Sequence, residues 1–128
     1  MSRADDVTAV TDFVRVQARE RPDAAAFWFE GRETSFADLD ARSSRCAQAL
    51  LAAGVPPGGR VATLCKNTDA FPVLWFGAMK ARACAVPVNT RLAPPEIAAI
   101  VEYIKSLSSA AVRTGPSEGP AYESIPRK

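Results

Sequence analysis

The sequence predicts an α/β fold: one β-hairpin and one parallel βαβ unit, packed with about four helices around a partial sheet. Apolar residues recur at helical spacing in separate stretches of the chain. The aromatic run Ala26-Phe27-Trp28-Phe29, broken by Glu30-Gly31-Arg32, reads as a strand that returns antiparallel through Glu33 to Phe36. Two apolar strands, Arg60 to Cys65 and Ala83 to Val88, flank a helix. That order places them parallel, with a right-handed crossover.

The first helix is expected over Thr8 to Arg19, with Thr8 as N-cap and Pro22 as the stop. Its apolar side carries Val7, Val10, Phe13, Val14 and Ala18, and Arg15, Arg19 and Glu20 face water. Ser35 and Asp38 form a capping signal for the second helix. That helix buries Phe36, Leu39, Ser43, Cys46 or Ala47, and Leu50, and ends at Gly54. Pro56-Pro57-Gly58-Gly59 is a loop. The strand Arg60 to Cys65 lacks alternation and is expected to be mostly buried. Lys66 to Asp69 make a turn into the third helix, Ala70 to Ala81, where Pro72 is tolerated in the first turn. This helix is apolar nearly all round, so it needs cover on several sides. Pro94-Pro95-Glu96 open a fourth helix with Ile97, Ile100, Val101, Ile104 and Leu107 on one face. After Ser108 the pattern dissolves, which divides the chain into a folded part, 1–107, and a disordered tail, 108–128.

Composition excludes several functions. The 128 residues allow one domain at most, and a net charge of +2 with scattered Lys and Arg gives no nucleic-acid patch. There is no histidine, so neither a His-based triad nor a Cys/His zinc site can be built. Cys46, Cys65 and Cys84 read as buried small apolar residues. Their odd number, with no secretory signal in MSRADDVTAV, indicates a reducing cytoplasm. The apolar stretch Phe71 to Met79 is far short of the ~20 residues that span a bilayer.

The order of local words resembles the start of the adenylate-forming (AMP-binding) enzymes, the acyl-CoA ligases and their adenylation-domain relatives. The words are TSFADLD at Thr34 to Asp40, LLAAGV at Leu50 to Val55, GGRVA at Gly58 to Ala62, the turn bearing Asn67, ACAVPVNTRL at Ala83 to Leu92, and APPEIAAIV at Ala93 to Val101. The resemblance covers Thr8 to Val101 and fits the fatty-acid type best. It implies that 1–107 is an incomplete, amino-terminal part of a larger adenylate-forming domain. Full-length relatives join a carboxylate to ATP, form an acyl-adenylate, and pass the acyl group to coenzyme A. In the family, Arg82 stands where glycine usually ends the helix. Likeness is expected to stop after Val101, as a frameshift, a premature end or an expression boundary would produce.

The resemblance places the machinery for ATP, Mg²⁺ and coenzyme A downstream, so no catalytic, cofactor-binding or metal-binding residue is assigned in this chain, and enzyme activity of the chain itself is left open. Thr114 to Gly119 superficially suggests a phosphate loop, but a linker is the better reading; no GxGxxG or GxxxxGK[ST] occurs. Asp5-Asp6 and the Asp38 and Asp40 pair read as solvation and capping. Asn67 and Asn89 sit at strand ends, where either turn formation or ligand contact is open. The expected role is an inactive ligase fragment. The alternatives are an interaction module, one part of a split ligase that meets a complementary fragment or itself through uncovered apolar surface, and a small nucleotide-binding domain. As an edge of a larger domain the chain is expected to be marginally stable.

Overall fold

The computed structural model describes residues 7–114. The elements follow in the order α1 (Val10–Glu20), β1 (Ala25–Phe29), β2 (Arg32–Ser35), α2 (Phe36–Ala52), β3 (Arg60–Thr63), α3 (Ala70–Lys80), β4 (Cys84–Pro87) and α4 (Pro94–Thr114). β1 and β2 pair antiparallel, and β3 and β4 pair parallel, as two separate two-stranded sheets. The expected fold class is therefore observed.

The hairpin turn is built by Glu30 (φ 48°) and Gly31 (φ 76°), both left-handed, between the partners Phe29 and Arg32. A two-residue loop with positive φ at both positions matches the twist of the flanking strands. The register shifts between Ala25 and Phe27, which turns Phe27 and Ala26 onto the core while Trp28 is left 65% exposed.

The core is centred on Val14 of α1, Leu39 of α2 and Val73 of α3, with Ala26, Phe27, Cys46 and Phe76 packed around them. α2 and α3 cross closely at Gly77, where an added Cβ would lie 2.6 Å from both Cβ and Sγ of Cys46. Only a residue without a side chain permits that approach. Beside the crossing, Lys80 Nζ donates to Asp40 Oδ1 at 2.6 Å, to the Asp40 carbonyl at 3.1 Å and to Ser44 Oγ at 3.0 Å. Partial burial of both partners makes this ion pair a specific tie between the helices rather than a screened surface contact.

Helix ends follow the sequence where a side chain settles them. Ser35 Oγ accepts the Asp38 N–H at 3.1 Å and caps α2. At its other end Gly54 (φ 87°) donates to Leu51, and Val55 N–H reaches the Leu50 carbonyl, a Schellman motif. α3 ends in the same way, with Arg82 N–H on Met79 and Ala83 N–H on Ala78, but there the left-handed residue is Arg82 (φ 59°). Arginine at a position that suits glycine is thus absorbed as backbone strain, with no lengthening of the helix.

Several expectations are corrected. The N-cap of α1 is Ala9, not Thr8. The Asp12 carboxylate reaches back to accept from the backbone N–H groups of Thr8 and Ala9 at 2.9 and 2.8 Å, so an acid at the third helical position does the capping. α1 buries Val14 and Val16, while Val10 and Phe13 are 54% and 57% exposed; one helix on a small core covers a narrower stripe than the periodicity suggests. β3 is not mostly buried. Ala62 is exposed, because the described sheet has two strands rather than the covered centre of a wide one. The cysteines are not all interior: Cys46 and Cys65 are half-buried and Cys84 is exposed, and all three are free thiols. The disordered tail expected from Ser108 is helical at its start, since α4 continues to Thr114. The alanines at 110 and 111 favour helix without any apolar stripe. The rest of that tail, 115–128, lies outside the described residues.

Candidate functional site

Parallel pairing brings the carboxyl ends of β3 and β4 side by side. Val88 N–H donates to the Thr63 carbonyl at 2.9 Å and holds the two exits together. Beyond them the chain leaves as Leu64 to Asn67 on one side and Val88 to Arg91 on the other. Between these exits lies an open cleft of about 870 Å³, lined by Cys65, Lys66, Asn67, Phe71, Pro87, Val88, Asn89, Thr90 and Arg91. The end of a parallel sheet is where α/β folds place ligands, because the loops there diverge and their backbone groups are free.

Local chemistry fixes both walls. Thr68 accepts the Ala70 N–H on Oγ1 at 3.3 Å and the Phe71 N–H on its carbonyl at 3.2 Å, which starts α3 at the cleft rim. Asp69, the N-cap residue of α3, pairs with Arg32 of the hairpin at 3.3 Å. On the opposite wall Asn89 Oδ1 accepts the Arg91 N–H at 2.9 Å and forms the turn. The Ala93 N–H then donates to Glu96 Oε2 at 2.9 Å, starting α4.

The structure brings Asn67 and Asn89, the two strand-end asparagines, into one cleft. It commits the side-chain oxygen of Asn89 to turn formation, and Asn67 lines the same cleft from the other wall. Sequence reasoning did not single out Lys66, Phe71, Thr90 and Arg91 for this site. Their signal was adjacency to the two asparagines, which becomes meaningful once the strands are parallel. Asp38 and Asp40 do not reach the cleft: Asp38 lies in the capped first turn of α2, and Asp40 holds Lys80. Asp5, Asp6 and residues 115–119 of the suspected phosphate loop lie outside the described residues.

The lining carries two cations, Lys66 and Arg91, and no carboxylate. The positive amino end of α3 adds to the same field at Phe71. Such a site attracts an anion and offers it donors. Among the described residues no group of three or more His, Cys, Asp or Glu is placed to hold a metal ion. Phe76 of the third helix packs on the core, Phe71 lines the cleft, and Trp75 is 43% exposed beside both rings.

The structure is thus of the α/β class, with an open cleft at the carboxyl ends of its parallel strands. The chain belongs to the AMP-binding enzyme family, whose pattern matches residues 14–111. That match runs beyond Val101, so family likeness does not stop there; it continues along α4. The chain is 40% identical over 91 residues to a long-chain-fatty-acid–CoA ligase of Mycobacterium tuberculosis, covering 71% of this chain and 18% of that protein. It is 42% identical over 81 residues to a feruloyl-CoA synthase of Amycolatopsis, covering 63% of this chain and 16% of the relative. An inhibitor-bound crystal structure of the N-terminal domain of FACL13 from M. tuberculosis superposes with a TM-score of 0.70 at 30% identity, over 89% of this chain and 31% of that one. The N-terminal subdomain of NpsA from Klebsiella oxytoca shares the fold, with a TM-score of 0.69 at 23% identity over 77% of this chain and 26% of its own. The chain thus spans less than a fifth of the length of its curated ligase relatives.

Proposed function

We propose that this chain is the amino-terminal part of an ATP-dependent acyl-CoA ligase of the fatty-acid type. The observation that carries the reading is the continuous family match over residues 14–111, joined to 40% identity with a long-chain-fatty-acid–CoA ligase. The complete reaction converts a carboxylate and ATP to an acyl-adenylate and pyrophosphate, then transfers the acyl group to the thiol of coenzyme A. In this reading the present residues supply scaffold and no catalytic group, and the chain by itself is inactive. The cleft at the β3 and β4 ends serves as a weak contact for the phosphate portion of a cosubstrate, with Lys66 and Arg91 as the charged donors and Asn67 and Thr90 beside them. A cytoplasmic setting fits the odd number of cysteines. No described helix is long and apolar enough to cross a membrane.

ATP–pyrophosphate exchange with a panel of fatty and aromatic carboxylates tests this reading. The purified chain is expected to give no exchange above blank, and clear turnover would overturn it.

A second reading, one part of a split ligase or an interaction module, is favoured by the exposed Phe13, Trp28, Leu64 and Trp75. Co-expression with a complementary ligase portion, followed by size-exclusion chromatography, tests it. Co-elution with restored exchange supports a split enzyme, and a lone folded monomer counts against it.

A further inference from the structure

We draw no further inference here: the strongest candidate outside the cleft, the apolar groove that Phe13, Phe27, Phe36, Pro72 and Phe76 line between α1, the hairpin and α3, carries nothing because nothing in the structure shows what covers it.

Discussion

Gly58 N–H donates to the Arg82 carbonyl at 2.8 Å, and Arg82 offers that carbonyl from a left-handed backbone conformation (φ 59°). The bond ties the loop before β3 to the turn before β4, so the two parallel strands start in register. Arginine pays for this geometry with a Cβ clash that glycine avoids. Arg82→Gly is expected to raise stability by about 1 kcal/mol, since relief of strain exceeds the extra freedom of glycine in the unfolded chain. Arg82→Ala keeps the Cβ and should give no such gain. Urea unfolding midpoints of the three proteins check this; equal midpoints for the glycine variant and the parent would remove the strain argument.

The crossing of α2 and α3 sets the second expectation. A methyl group at Gly77 would sit 2.6 Å from Cys46 and 3.1 Å from the Ser43 carbonyl. One of these contacts is backbone, so rotation of a side chain cannot relieve them all. Gly77→Ala should cost about 1–3 kcal/mol despite the better helix propensity of alanine. Gly77→Ala with Cys46→Gly should recover part of the loss, a non-additivity expected of touching residues. Stabilisation by the single substitution would show that the helices can separate freely.

The Asp12 carboxyl is held well below the usual carboxylate range, chiefly by the backbone N–H groups of Thr8 and Ala9, with Arg15 and the Thr8 hydroxyl adding to the effect. A folded-state pKa below the unfolded one means stability that is present above the unfolded value and lost as pH falls toward the folded one. Asp12→Ala should therefore weaken the chain at neutral pH. The difference from the parent should shrink below about pH 4, where the unfolded carboxyl takes up its proton. Thermal midpoints measured across that range check the sign; a difference that grows on acidification would contradict it.

The element order was legible because caps, turns and periodicity agree locally: Ser35, Gly31, Gly54 and the Pro94-Pro95 pair each sit where their chemistry requires. What tertiary packing decides was less so. Val10 and Phe13 fit the helical stripe of α1 but lie outside the face that meets Leu39 and Val73. Apolar content alone did not reveal that β3 would be half open. The site was half legible. Asn67 and Asn89 were visible as strand-end residues, whereas the charges next to them, Lys66 and Arg91, acquire meaning only through the parallel pairing of strands more than a helix apart.

That pairing yields a last expectation. Lys66 and Arg91 line one opening whose lining includes no carboxylate, Asp69 at its rim being paired with Arg32, so a polyphosphate should bind there by charge and hydrogen bonding. An exposed, open site gives little desolvation, and affinity near the millimolar range, about −4 kcal/mol, is expected. Titration of the isotopically labelled chain with tripolyphosphate, ATP and coenzyme A, followed by amide chemical shifts, should move Lys66, Asn67, Thr90 and Arg91. Arg91→Glu leaves the Arg91 backbone bond to Asn89 intact and reverses the charge. It should weaken binding several-fold, since charges near a protein surface interact with energies on the order of 1 kcal/mol. Lys66→Glu should act in the same direction, and raising the salt concentration should weaken binding to the parent but much less to the double variant. Shifts that fall elsewhere on the chain, or titrations that the Arg91 and Lys66 substitutions leave unchanged, would rule out the cleft as the anion contact.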